Sequence, residues 1–323
     1  MNRQIRIVGA ILVCVFVLLT GNIAYIVLVQ GPDLATNQGN TRAIQEEAGI
    51  KRGQIKTADG IVLADSKLDN GRYERFYPQG AMASQTLGYA SYRLNQSGLE
   101  KTYNEYLLGR ERASFIDDLI HKFKRPDKRG DTVILTIDSR LQAIAEQGLA
   151  GKKGAAVAID PQTGAILAIA SSPGYDPNLI DKDWKTISSN PDAPLVNRAT
   201  EGAYPPGSTF KIITSAAALE EGLYSPDDKI NGDDGLEVMG TTVRNLDGKS
   251  FGEVSFTEAL EFSVNTVFAQ IGLKLGANRL FQYASRFGFN EDIPFDVPVK
   301  RSRVKRAGAM DEVDVAWTAI GQA

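Results

Sequence analysis

The sequence holds one cysteine, Cys14, and one histidine, His121, among its 323 residues. A lone cysteine excludes an intramolecular disulfide and any cysteine-based zinc site. A lone histidine leaves a Ser-His-Asp catalyst one candidate base. An excess of charge of one sign is also missing: 36 Lys and Arg face 39 Asp and Glu, for a net charge of -3. Nucleic-acid-binding domains carry a basic footprint, so no nucleic-acid partner is expected. There are no internal repeats or low-complexity tracts, and no cofactor or metal motif. The length leaves room for two domains, and 43% hydrophobic residues is ordinary for chains with a sizeable core.

One long apolar run is present. From Ile7 to Val29 no residue is charged, Arg3 and Arg6 precede the run, and Asp33 is the first charge after it. That length suits a membrane-spanning helix. The flanking arginines put the amino terminus in the cytoplasm and everything after Gln30 outside the cell. A cleaved signal peptide would need a shorter apolar core and a small-residue cleavage site, and "YIVLVQGPD" offers none. The expectation is an uncleaved single-pass anchor within residues 1–30, with Cys14 packed at mid-membrane.

Residues 31–150 read as a second, polar segment. "KRGQIKTADGIVLADS" (Lys51 to Ser66) predicts a hairpin turning at Asp59-Gly60. "SGLEKTYNEYLLG" (Ser97 to Gly109) predicts one short amphipathic helix. "FKRPDKRGD" (Phe123 to Asp131) reads as a surface loop, with His121 at its edge. "TVILTID" (Thr132 to Asp138) predicts a strand leading into a helix. Residues 151–323 read as a third unit. It opens with two apolar runs between Gly154 and Ser172, around Asp160-Pro161-Gln162-Thr163-Gly164. This predicts a hairpin whose strands are buried on both faces. A helix is expected from Ser208 to about Glu221, ended by Gly222. Another should run from Ser255 to Gly276, opened by the capping box Ser255-x-x-Glu258.

The chemistry points to "PPGSTFK", Pro205 to Lys211. On a helix, positions three apart share a face, so Lys211 lies beside Ser208. Pro205-Pro206 forbids helix before them, which leaves Ser208 in the first turn among free N–H groups that favour an oxyanion. A serine needs a base to become a nucleophile. His121 lies in a loop of the preceding segment, whereas Lys211 sits among Phe210, Ile212, Ile213 and Ala216 to Leu219. Burial there lowers a lysine pKa and makes a neutral amine available. The bare Ser-x-x-Lys spacing arises by chance about once in a chain this long, and alone it fits a snorkelling lysine beside a helix-start serine. The flanking residues, together with Ser263-x-Asn265, make it more specific.

With these residues in view the chain resembles the class B penicillin-binding proteins, membrane-anchored peptidoglycan D,D-transpeptidases, over almost its whole length. "YPPGSTFK" is similar to their Ser-x-x-Lys box and Ser263-Val264-Asn265 to their Ser-x-Asn box. "AAVAIDPQTGAILAIASSPGYDPN" is similar to the opening of their catalytic domain. Arg52-Gly53-x-Ile55 and Ser97-Gly98-Leu99-Glu100 resemble motifs of their pedestal, although Thr57-Ala58 stands where the family has Asp-Arg. The overall character is that of actinobacterial members.

The resemblance implies an α+β fold: a mainly β pedestal over 31–150, then a transpeptidase domain, similar to serine β-lactamases, over 151–323. Ser208 would be the acylated nucleophile and Lys211 its base. Ser263 would relay protons, and Asn265 would orient Lys211 and hold the substrate amide. Stem peptides ending in D-Ala-D-Ala and β-lactams would bind. A membrane glycosyltransferase and other wall-synthesis proteins would be partners, with no cofactor or metal. The family's third box, Lys-Thr-Gly or Lys-Ser-Gly, is missing after Ser263, so the sequence reads as truncated. That absence keeps a second reading open, a non-catalytic membrane-anchored scaffold. It also carries an expectation for residues 1–323 alone: a helix at Ser208 stripped of its packing layer, a wet Lys211 with a nearly normal pKa, and no reaction with penicillin.

Overall fold

The computed structural model describes residues 2–25, 47–110 and 129–322. The chain divides into two compact units, Met1–Val196 and Asn197–Ala323. His121, most of the expected loop around it, and the end of the expected membrane span lie outside the described residues.

The first unit opens with helix α1, Asn2–Tyr25. Among the described residues no helix is long and apolar enough to cross a membrane. This unit holds a four-stranded sheet in the order β3-β2-β1-β6, with β1 Ile55–Lys56, β2 Val62–Asp69, β3 Arg72–Phe76 and β6 Val133–Ile134, within the segment expected to be a pedestal. The β1–β2 hairpin forms as expected, and β6 joins β1 in parallel. Strand β3, which was not expected from the sequence, returns from β2 through Asn70-Gly71; both residues have positive φ, 46° and 79°. Asn-Gly between strands favours this two-residue turn.

Two further short strands, β4 Ala90–Ser91 and β5 Asn95–Gln96, pair with each other. Helix α2, Ser84–Leu87, adds Leu87 to a core of Ile55, Leu63, Ala64, Tyr77 and Leu107. The helix expected over Ser97–Gly109 is two short pieces, α3 Gly98–Thr102 and α4 Asn104–Leu107. They are broken at Tyr103, whose ψ of 23° leaves the helical range.

The two motifs that first suggested a pedestal meet in the structure. Arg52 Nε donates to Glu100 Oε2 at 2.7 Å and Arg75 Nε donates to Oε1 at 2.6 Å, with all three side chains buried.

The strand expected over Thr132–Asp138 is only β6, because Asp138 caps helix α5, Ser139–Gly148, by accepting from the N–H groups of Arg140 and Leu141. Helix α5 lies against a hairpin of β7, Gly154–Ile159, and β8, Ile166–Ser172. The Gln142 side chain fixes that contact by bonding both N and O of Ile169. Ala168, Ile169 and Ala170 are buried, but Val157 and Ile159 are exposed. The expectation of two-sided burial therefore fails for β7. The sheet has two strands, and α5 covers β8 while β7 forms the outer edge. Helix α6, Trp184–Ser188, follows in the loop region.

In the second unit a 3-10 turn, Gly207–Phe210, runs into helix α7, Lys211–Glu220. The helix stops where expected. Leu223 N donates to Ala218 O and Gly222 N to Leu219 O, with Gly222 left-handed at φ 62°, the usual glycine C-terminal motif. The polar stretch from Ser225 to Gly252, which showed no periodicity, forms short antiparallel pairs. Strand β9, Lys229–Asn231, pairs with β12, Glu253–Ser255, and β10, Leu236–Val238, with β11, Thr241–Val243.

The helix expected over Ser255–Gly276 is two helices, α8 Phe256–Glu261 and α9 Asn265–Arg286, and α9 kinks at Gly276 (φ 76°, ψ 164°), where the expected helix ended. The capping box is present: Ser255 Oγ accepts from Glu258 N, and Glu258 Oε2 accepts from Ser255 N. Helix α10, Glu312–Ala319, packs on α9, and α9 packs on α7. The core is built from Phe210, Val243, Phe256, Phe268, Leu280 and Ala316. The expectation that the Ser208 helix lacks a packing layer is corrected here, because α9 and α10 supply one.

Candidate active site

The four residues singled out in the sequence all lie in the second unit. Ser208 is on the 3-10 turn and exposed. Lys211 is the first residue of α7 and has no exposed surface. Ser263 stands in the break between α8 and α9, and Asn265 opens α9. The break makes the site. At Ser263 the backbone turns left-handed, φ 56°, a conformation that costs a non-glycine residue on the order of 1 kcal/mol. Both the carbonyl and the hydroxyl of Ser263 then face Lys211.

A lysine ammonium has three donors, and this one has three acceptors. Lys211 Nζ donates to Ser263 O at 2.7 Å, to Ser263 Oγ at 2.9 Å and to Asn265 Oδ1 at 2.6 Å. Phe268 lies beneath, its ring centroid 5.5 Å from Nζ. The acceptors are neutral, and among the described residues no carboxylate pairs with the ammonium. Burial therefore dominates and lowers the Lys211 pKa to about 8. The expectation of a wet, ordinary lysine is thereby corrected. The residues that dry it are Phe268 and the Ser263 loop, both within this chain.

Ser208 Oγ is not among the Lys211 partners. The structure brings Lys211, Ser263 and Asn265 into one hydrogen-bonded group, with Ser208 one 3-10 turn away on the same segment. Contacts of this kind in unliganded sites commonly tighten only when substrate arrives.

The residues that support this group carry no recognisable sequence signal. Asn265 Nδ2 donates to Arg244 O at 2.9 Å, which fixes the amide so that Oδ1 faces Lys211. The buried Asn245 accepts from Thr266 N through Oδ1 and donates to Gly232 O and Lys249 O through Nδ2. It thus ties the polar stretch to the first turn of α9. In sequence, "RNLDG" looks like an ordinary turn. Its role depends on pairing with residues up to 21 positions away. Among the described residues no group of His, Cys, Asp and Glu could hold a metal ion.

Residues 154–322 match the penicillin binding protein transpeptidase domain, and residues 52–133 match the penicillin binding protein A dimerisation domain. The chain belongs to the class B penicillin-binding proteins. Peptidoglycan D,D-transpeptidase PbpA of Mycobacterium tuberculosis is 34% identical over all of this chain and 69% of its own length. Penicillin-binding protein A from M. tuberculosis, solved as an imipenem acyl-enzyme complex, superimposes with a TM-score of 0.79 at 36% identity, covering 86% of this chain and 67% of that one. The D,D-transpeptidase domain of a peptidoglycan glycosyltransferase from Eggerthella lenta gives a TM-score of 0.76 at 38% identity, covering 85% of this chain and 62% of that one. The chain thus spans about two thirds of the length of these relatives. The α+β fold with a preceding dimerisation-type domain, and the actinobacterial character, agree with the sequence reading. The scaffold reading finds no support, since the relatives carry transpeptidase names and one is an acyl-enzyme.

Proposed function

We propose that this penicillin-binding protein is a serine D,D-transpeptidase that cross-links peptidoglycan through an acyl-enzyme on Ser208. The observation that carries the reading is the buried Lys211 amine, held by Ser263 and Asn265 with a pKa near 8. At neutral pH an appreciable fraction of such an amine is unprotonated, so it can act as a base. Neutral Lys211 takes the Ser208 Oγ proton as Oγ attacks the carbonyl between the two terminal D-Ala residues of a stem peptide. The first turn at Ser208 offers backbone N–H to the oxyanion. The carbon–nitrogen bond then breaks. The proton passes from Lys211 through Ser263 Oγ to the amine of the departing D-Ala. An amine of a neighbouring strand attacks the ester, its proton returns by the same route, and Ser208 Oγ leaves with a proton. A β-lactam enters the first half of this sequence and stops at the ester.

The chain's placement is part of the same reading. The uncharged run Ile7–Val29 behind Arg3 and Arg6 supports a single-pass anchor with the catalytic residues outside the cell. Helix α1 covers most of that run, and its described apolar side chains, such as Phe16 and Leu18, are exposed. The organisation proposed is an anchor to residue 30, a pedestal to 150 and the transpeptidase domain from 151. Partners are stem peptides and, by family resemblance, a membrane glycosyltransferase.

The test is labelling of the protein in its native membrane with a fluorescent penicillin. One adduct on Ser208, abolished by Ser208→Ala, is expected. A label that survives Ser208→Ala would remove the assignment.

A further inference from the structure

The turn that ends α10 touches the segments that carry Ser208, Lys211 and Asn265. Gly207 N donates to Gly321 O at 2.9 Å, and Gly207 is the residue before Ser208. Two residues earlier, Ala319 O accepts from Thr214 Oγ1 at 2.8 Å; Thr214 lies on α7 three positions after Lys211. On its other side Ala319 meets α9, the helix that Asn265 opens. A Cβ added at Gly272 would fall 2.3 Å from the Ala319 Cβ. One turn of buried backbone is thus in contact with the peptide before the nucleophile, the helix of the base and the helix of Asn265.

Gly321 has a simpler explanation, and the same protein contains the comparison. Gly321 N donates to Thr318 O and Gln322 N to Trp317 O, with Gly321 left-handed at φ 74°. That is the motif that also ends α7 at Gly222. A helix end alone accounts for Gly222, where an added Cβ would meet nothing within 4 Å. It does not account for Gly321, where an added Cβ would fall 2.0 Å from Gly207 O and 2.7 Å from Gly207 C. The two glycines share a backbone role, and only one is pressed against the nucleophile's own peptide.

We propose that the Ala319–Gly321 turn is a positioning element for the reaction, setting where Ser208 stands relative to Lys211 and Asn265. This rests on the acyl-enzyme reading above. Gly321 is the sensitive position. Any side chain there must push back Gly207, and misplacing a reacting group by about 1 Å costs on the order of 10²-fold in rate.

The experiment compares Gly321→Ala with Gly222→Ala in the intact, detergent-solubilised protein. The readouts are the melting temperature, the penicillin acylation rate split into non-covalent affinity and first-order acylation, and hydrogen exchange of the peptide containing Gly207. Both substitutions put a Cβ on a left-handed helix end, so both lower the melting temperature. Gly321→Ala is expected to slow first-order acylation about 10²-fold, leave non-covalent affinity near that of the parent, and speed exchange at Gly207. Gly222→Ala is expected to acylate like the parent.

The proposal is overturned if Gly321→Ala acylates at the parent rate, or if Gly222→Ala slows acylation equally at matched loss of melting temperature. If Gly321→Ala does not fold, Thr214→Val decides. Slower acylation in a folded protein supports the positioning role, and an unchanged rate rejects it. Exchange at Gly207 does not depend on acylation. An unlabelled parent protein therefore counts against the functional reading, and equal exchange in parent and Gly321→Ala counts against this one.

Discussion

Asn265 Oδ1 lies 2.6 Å from Lys211 Nζ and faces it as a neutral acceptor. That neutrality matters, because an anion at the same position would hold the proton on the amine. Asn265→Asp changes the amide to a carboxylate at nearly constant shape. An opposite charge at this range raises a lysine pKa by about 1–3 units. Acylation at pH 7 is then expected to fall at least about tenfold, with the rise of rate against pH moved above its parental midpoint near 8. A pH–rate profile of penicillin acylation checks this. An unshifted midpoint would mean that Lys211 is not the titrating base.

Burial of Lys211 also has a signed effect on stability. Its pKa is about 8 in the fold and about 10.4 in an unfolded chain. Between those values the unfolded state binds more protons, so stability rises with pH across that window. Below pH 8 the buried ammonium is a net cost. Lys211→Met removes the titration while keeping most of the volume. The melting temperature of the parent relative to Lys211→Met should therefore rise from pH 8 to pH 10. Acylation in the variant should be lost at every pH. A flat difference across the window would contradict the burial-lowered pKa.

Ser263 combines a strained backbone with the side chain proposed as proton relay, and glycine separates the two. Ser263→Gly relaxes φ 56° and removes Oγ. Stability should be unchanged or higher by up to about 1 kcal/mol. Acylation and turnover should fall because proton transfer loses its relay. Ser263→Ala should lose activity similarly without the gain in stability. Calorimetry alongside penicillin labelling distinguishes the two effects.

Local signals in the sequence placed helix ends well. The Ser255–Glu258 capping box and the Gly222 helix end are each written within a few residues, and each appears where the pattern put it. The break at Ser263 was not legible. Residues 255–276 keep a helical apolar pattern through it, and only tertiary contact with Lys211 makes the left-handed serine worthwhile. The support from Asn245 and the Ala319–Gly321 turn was invisible for the same reason, since each acts through residues far along the chain. Burial of Val157 and Ile159 was over-read, because an apolar run does not say whether a neighbouring strand or helix covers it.

The pedestal offers a prediction of its own at Glu100, which is wholly buried between Arg52 and Arg75. Its carboxylate accepts from both guanidinium Nε atoms, and its backbone carbonyl accepts from Arg52 Nη2. Arg52 Nη1 continues to Asn104 Oδ1, and Arg75 Nη1 to Gly53 O. One buried anion therefore holds two buried cations and links β3 to α3. Glu100→Gln keeps the shape and removes the charge, leaving two guanidinium groups uncompensated. Breaking a buried pair by removing one partner costs about 3–5 kcal/mol. That is a large share of the roughly 5–15 kcal/mol that stabilises a domain. The expected result is a pedestal that melts well below the parent. Replacing all three charges with apolar residues of similar volume should recover much of the loss, because the desolvation cost disappears with the charges. A Glu100→Gln protein that melts within a degree or two of the parent would show that water reaches this cluster and that the ion pairs contribute little.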